Sequence, residues 1–348
     1  MKRTTKLSAQ RKEHSKKQPK KSKELEGNTD VMTSTGSTLL DLAISGTRVP
    51  GGGIPGGILV EIFGPSGSGK TVMLVEMAGM VQRASGNVMF RDPEARLNKT
   101  FAKVFDLDVD DLDYDTPDTI PQLFQAVRNW DVDTNKINGV FADSLAALST
   151  DMEMENEEGD KMGMRRAKEF SEELRRTCRI LKQRNLLMVA SNQVRVNQDA
   201  GFGGQKYISP GGEAIGFYSS LRLRTQVVEK IKDEKTIRGK KVKKVVGIKV
   251  RVEVFKSSID SPYRTADVYI YFDYGIDDIR ANLQFIKDFN KATKYMVDNI
   301  ELDVSMDKSI TMVEEQELED QLKEQVIDLW EEIQKKFDFN KKRKRKKR

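Results

Sequence analysis

Among 348 residues there is a single cysteine, Cys178, and a single histidine, His14. A disulfide within the chain is therefore excluded, and so are a Cys/His zinc centre and a Ser-His or Cys-His nucleophile system. His14 sits in a basic stretch and reads as a solvated side chain. Cys178 falls near Phe170, Leu174 and Leu181 in a helical pattern and reads as a small core residue. No apolar run approaches the length that crosses a bilayer, and the N-terminus lacks the apolar stretch of a signal peptide. The expectation is a protein with no membrane partner that stays in the cytoplasm where it is made. Its chemistry is left to carboxylates, lysine, backbone amides and a metal ion.

Charge is unevenly spread. The first 23 residues hold ten Lys/Arg against one Glu, and the last eight, KKRKRKKR, are all basic. Those ends carry +9 and +8 against a total of +6, which leaves residues 24–340 near −11. An acidic body with two cationic ends follows. With almost no apolar material, residues 1–28 read as a basic disordered tail, and 341–348 as a second basic tail.

Between the tails, strands and helices alternate. Ile58–Phe63 reads as a buried strand, Thr71–Arg83 as a helix packed on a sheet, Asn87–Arg91 as a short strand and Pro121–Trp130 as a helix. Ile137–Ala142 is the next strand, Arg165–Arg184 a long helix and Leu186–Ala190 a further strand. This repetition predicts an α/β fold with a twisted, mostly parallel sheet flanked by helices. Leu221–Val228 and Val245–Phe255 alternate like antiparallel strands, separated by a charged turn region around Lys232–Lys244, and Val268–Phe272 continues the sheet. Two helical patterns, Asp278–Phe289 and Glu314–Lys336, predict a small C-terminal α+β lobe over 276–340 after a core over 29–275.

Gly64-Pro65-Ser66-Gly67-Ser68-Gly69-Lys70-Thr71 is a complete Walker A motif between a strand and a helix. Glycines let successive backbone N–H groups point at phosphate oxygens, and the helix N-terminus adds its dipole. Lys70 is placed for the β- and γ-phosphates of ATP, and the Thr71 hydroxyl for Mg²⁺. Asp143 closes the Ile137–Ala142 strand and suits the second metal ligand. Asp92 and Glu94 both follow a strand end beside the nucleotide, and chemistry alone does not choose which activates water.

These blocks, in order, resemble the bacterial and phage RecA family over residues 33–275. Besides Walker A they are Ser34–Ser37, Gly57–Pro65, Phe90-Arg-Asp-Pro-Glu94, Asp143-Ser-Leu-Ala-Ala147, Gly159–Gly163, Ser191-Asn-Gln193, and Gly211-Gly212 leading to Phe217-Tyr218. The resemblance implies a RecA-like ATPase core that forms helical homo-oligomeric filaments on single-stranded DNA and pairs it with double-stranded DNA. It implies catalytic roles for Lys70, Glu94 and Gln193, with Phe101 where the family stacks a tyrosine on adenine. Met152–Met164 and Arg195–Pro210 match the two DNA-binding loops, which implicates Met162, Lys168, Arg175, Arg195, Phe202, Gly211 and Gly212 in DNA contact. Phe217 matches a subunit-interface aromatic. Of two lysines that reach the neighbouring subunit's nucleotide, this sequence keeps Lys256 and has Ser258 in place of the other. Two alternatives share the core: a hexameric helicase, and a DNA-binding filament accessory factor with weak ATPase.

Overall fold

The computed structural model describes residues 31–105, 107–155, 162–196, 207–208, 213–290 and 292–337. From Val31 onward the described residues form one compact unit. Its frame is a nine-stranded sheet. The strands, in chain order, are β1 Leu59–Gly64, β2 Val88–Arg91, β3 Leu112–Asp115, β4 Asn138–Ala142, β5 Leu186–Gln193, β6 Leu221–Ile237, β7 Lys240–Ser257, β8 Thr265–Tyr271 and β9 Gly275–Ile276. Across the sheet they run β9-β8-β7-β6-β1-β5-β4-β2-β3. Every pairing from β6 to β3 is parallel, and those joining β6, β7, β8 and β9 are antiparallel. The predicted mostly parallel sheet is therefore present.

Central strands are buried on both faces, in keeping with their mainly apolar sequences. Along β5, Leu187 and Val189 join the core under helix α2 (Lys70–Arg83), together with Val60, Ile62, Leu74 and Ala78. The alternate residues Leu186, Met188 and Ala190 join Phe124 of α4 (Ile120–Asn129) and Phe170 and Leu174 of α5 (Met162–Gln183) on the other face. Cys178 is half-buried against this second cluster, and burial pushes its thiol up to about 11. A capping box between Thr119 and Gln122, with Pro121 in the first turn, starts α4. After the sheet come α7 (Asp278–Asn290), α8 (Met306–Glu315) and α9 (Glu319–Phe337). They enclose Leu283, Val313, Leu322 and Val326, with Leu42 of α1 (Thr38–Ser45) reaching in.

Several local expectations need correction. The region around Lys232–Lys244 is not a long turn: β6 and β7 continue through it as a two-stranded ribbon and reverse at Arg238-Gly239. Both turn residues have positive φ, 49° and 78°, as the tight hairpin turns that match strand twist require. The ribbon faces water on both sides, so it shows no apolar alternation. Glu234 accepts from Lys241 and Lys243 across it, at 3.0 Å each. The single helix expected over Glu314–Lys336 is two helices, broken where Glu317 adopts φ 53°. Within the first expected loop, Asp151–Glu155 is helical and α5 begins at Met162. In the second, Arg195–Val196 pairs antiparallel with Tyr207–Ile208. Strand β3 and helix α3 (Lys99–Val104) had no expectation.

Candidate active site

The Walker loop joins β1 to α2 at the C-terminal edge of the parallel strands. Gly64 ends β1 so close to Thr225 of β6 that a Cβ there would lie 2.5 Å from the Thr225 carbonyl oxygen. Gly67 and Gly69 have φ of 71° and 80°, in the left-handed region, which turns the chain into α2. Ser68 Oγ bonds both the Pro65 carbonyl and the Thr225 hydroxyl, each at 2.7 Å, so the loop is tied to the sheet. The Lys70 ammonium lies within the loop's curve, donating to the carbonyls of Gly64 (3.1 Å) and Pro65 (2.7 Å). Burial holds its pKa below the ordinary lysine value, opposed by Asp143 and Glu94 and reinforced by Arg96.

Beside it lies a cavity of about 350 Å³. The size suits a small-molecule ligand. It is lined by the Walker loop, Asp143, Ser144, Ser191 and Gln193. Thr71 Oγ1 donates to Asp143 Oδ2 at 2.6 Å, and Ser191 donates to the other Asp143 oxygen. A hydroxyl and a buried carboxylate thus meet as an all-oxygen pair. Among the described residues no group of three or more His, Cys, Asp or Glu side chains could hold a metal by itself. Two protein oxygens fit Mg²⁺, which keeps waters and takes phosphate oxygens to complete its shell.

Asp92 and Glu94, equivalent in the sequence, have separate surroundings. Asp92 is buried and accepts the Leu97 N–H at 2.7 Å and the Tyr114 hydroxyl at 3.1 Å, which curls the loop after β2. Burial and the facing Asp92 carboxylate push the Tyr114 phenol up to about 12. Glu94 does not itself line the cavity; it is held by two residues that do, Ser144 donating to Oε1 at 2.8 Å and Arg96 pairing with Oε2. Gln193 ends β5 in register with Gly64, at the mouth of the Walker loop. Phe101, half-buried in α3, lines the cavity and packs edge-on to Phe105 with ring centroids 4.6 Å apart.

Several cavity residues escaped the sequence reasoning. Ile248 comes from β7, Ile270 from β8 and Phe272 from just beyond it, and Arg96 lies in the loop after Glu94. Arg96 carried a signal, a cation two residues beyond a candidate base; the three apolar residues carried none, because only the antiparallel topology brings them there.

Other predicted residues lie apart from the cavity. Lys256 does not line it: its ammonium donates to the carbonyls of Gly216 (2.8 Å) and Phe217 (2.9 Å), at the end of α6 (Glu213–Tyr218). Burial and the nearby Arg222 lower its pKa, against Glu61. Phe217 is 75 % exposed, unlike a core phenylalanine. Lys168 and Arg175 are exposed and two turns apart on α5, Lys168 4.0 Å from Glu172. Met162 opens α5 and Arg195 begins a short strand, but their side chains lie outside the described residues, as do Phe202, Gly211 and Gly212 altogether.

A family model described as the RecA N-terminal domain matches residues 7–277. The chain belongs to the RecA family. The protein RecA of Borrelia hermsii is 31 % identical over 294 residues, covering 83 % of this chain and 79 % of the relative. Similar relatives are the protein RecA of Borrelia turicatae, 35 % identical over 70 % of this chain and 63 % of its own length, and that of Rickettsia bellii, 32 % identical over 72 % and 68 %. Membership makes the chain an ATP-dependent DNA recombinase and a DNA-dependent ATPase. The RecA match begins at residue 7, so it takes in most of the segment expected to be a separate tail.

Proposed function

We propose that this RecA-family chain forms a helical filament on single-stranded DNA in the cytoplasm and exchanges strands with a homologous duplex, using ATP bound in the Walker cavity. Residues 29–275 do this work, with 276–340 as an attached lobe. The observation that supports it most directly is the meeting of Lys70, Asp143 and Gln193 in one cavity, with Glu94 just behind its wall on Ser144 and Arg96. Thr71 and Asp143 would hold Mg²⁺, which would supply positive charge to offset that of the bound triphosphate. Lys70 binds the same phosphates, Phe101 stacks on the base, and Glu94 takes a proton from the attacking water. Gln193, continuous through β5 with the Arg195–Val196 strand, passes the state of the γ-phosphate to the DNA-binding segment.

DNA is held by Lys168, Arg175 and Arg195 on phosphates, by Gly211 and Gly212 through backbone N–H groups, and by Met162 and Phe202 near bases. Phe217 packs against the next subunit, and Lys256 reaches that subunit's nucleotide. The test compares Glu94→Gln with Asp92→Asn. Glu94→Gln is expected to bind ATP and lose hydrolysis by orders of magnitude, with longer-lived DNA complexes. Asp92→Asn is expected to lower stability, since its carboxylate holds the loop. Normal turnover in Glu94→Gln would contradict the assignment.

A further inference from the structure

Among the described residues lining the phosphate cavity, only Lys70 and Arg96 carry positive charge. Lys70 belongs to the Walker loop; Arg96 comes from the loop after β2. Its guanidinium pairs with Glu94 Oε2, while Glu94 Oε1 is held by Ser144, the neighbour of Asp143. Its side chain is 54 % exposed and that of Glu94 is 14 % exposed, so Arg96 is free to swing and Glu94 is not. The arginine therefore pairs with the group proposed to activate water and lines the same cavity as the lysine proposed to bind the γ-phosphate.

Phosphoryl transfer concentrates negative charge on the oxygens around the γ-phosphorus, and a guanidinium with forked donors suits two of them. We infer that Arg96 is a catalytic residue supplied by the nucleotide's own subunit: on binding ATP its guanidinium leaves Glu94 Oε2 for the γ-phosphate oxygens. This rests on the nucleotide site proposed above. The exchange does two things at once. It puts a second cation on the transferring group, and it frees Oε2 as a proton acceptor beside the attacking water. Water oxygen then bonds to the γ-phosphorus, the bond from phosphorus to the β,γ-bridging oxygen breaks with its electron pair passing to ADP, and the water's proton goes to Oε2.

The alternative is that Arg96 only restrains Glu94. The two differ in sign. A restraint, once removed, leaves hydrolysis unchanged or faster; a transition-state cation, once removed, slows it. Single-turnover ATP hydrolysis on single-stranded DNA is measured for wild type, Arg96→Ala, Arg96→Lys and Lys70→Ala, with ADP affinity and affinity for ADP plus aluminium fluoride. Arg96→Ala is expected to slow hydrolysis by about 10²–10³-fold and to weaken the aluminium fluoride complex by a similar factor. ADP, with no γ-phosphate, binds it within about twofold of wild type, which also shows that the variant is folded. Arg96→Lys recovers part of the loss, because it restores charge without the fork. Wild-type or faster hydrolysis in Arg96→Ala, with Lys70→Ala inactive, overturns the role of Arg96 alone. Retained hydrolysis in Lys70→Ala overturns the nucleotide site itself.

Discussion

At the scale of single residues, packing partners separate two like groups. Asp92 and Glu94 are both acids after a strand end, yet one is occupied by Leu97 and Tyr114 and the other by Ser144 and Arg96, which line the cavity. No pattern in the sequence separates them, because Tyr114 comes from a strand more than twenty positions away that carries no apolar signal of its own. Asp41 is a second case. It is fully buried, accepts from Ser34 and the Thr35 N–H, and faces Asp278; burial pushes its carboxyl up to about 7. Since the folded pKa lies above the unfolded one near 3.8, the unfolded chain holds fewer protons between those values. Stability is therefore greatest below about pH 4, falls as pH rises toward 7, and levels above it. The whole change is at most roughly 4 kcal/mol. Asp41→Asn, which cannot ionise, is expected to flatten that stretch of the curve of melting temperature against pH. An unchanged slope would place the titration elsewhere.

Among the elements, the strand and helix on either side of the phosphate loop are legible because the strand is mainly apolar and the helix carries an apolar stripe. The expected Ile58–Phe63 lies within one residue at each end of the observed Leu59–Gly64, and the expected Thr71–Arg83 within one at its start. The β6–β7 ribbon is not legible, since its exposed charged residues carry no period, and the two-residue Arg238-Gly239 reversal is its one local mark. Close approach of the loop to β6 leads to a stability prediction. Gly64→Ala would drive a Cβ to 2.5 Å from a backbone carbonyl that cannot move without shifting the sheet. It is expected to destabilise the fold by about 1–3 kcal/mol by strain and overpacking, read as a lower urea midpoint. Gly67→Ala meets nothing within 4 Å and carries only the strain of φ 71°. Its loss should be smaller, about 1 kcal/mol. Equal losses in the two would show that crowding against Thr225 is not what fixes Gly64.

For the whole molecule, the sequence indicates the class of fold and the nucleotide site more fully than the DNA surface. Walker A is a contiguous loop, so eight adjacent residues carry it, whereas the DNA contacts are expected from segments largely outside the described residues. Charge carries a prediction of its own there. An acidic body is expected to repel DNA at long range, and the Lys341–Arg348 tail is expected to offset that by releasing counterions from phosphate. Deleting the tail is expected to weaken duplex binding and make log affinity against log salt shallower, by roughly 0.9 for each phosphate that the tail no longer neutralises. Identical slopes with and without the tail would assign it no part in binding.

The central claim is that one Walker cavity, with Lys70 on the phosphates, drives DNA recombination. Its most direct measurement is ATP-dependent strand exchange between a single strand and a homologous duplex, run with wild type and Lys70→Ala. The account predicts joint-molecule formation and DNA-stimulated ATP hydrolysis by wild type. In Lys70→Ala it predicts loss of hydrolysis and exchange slowed on the order of 10²-fold or more. Wild-type rates of both in Lys70→Ala would contradict it.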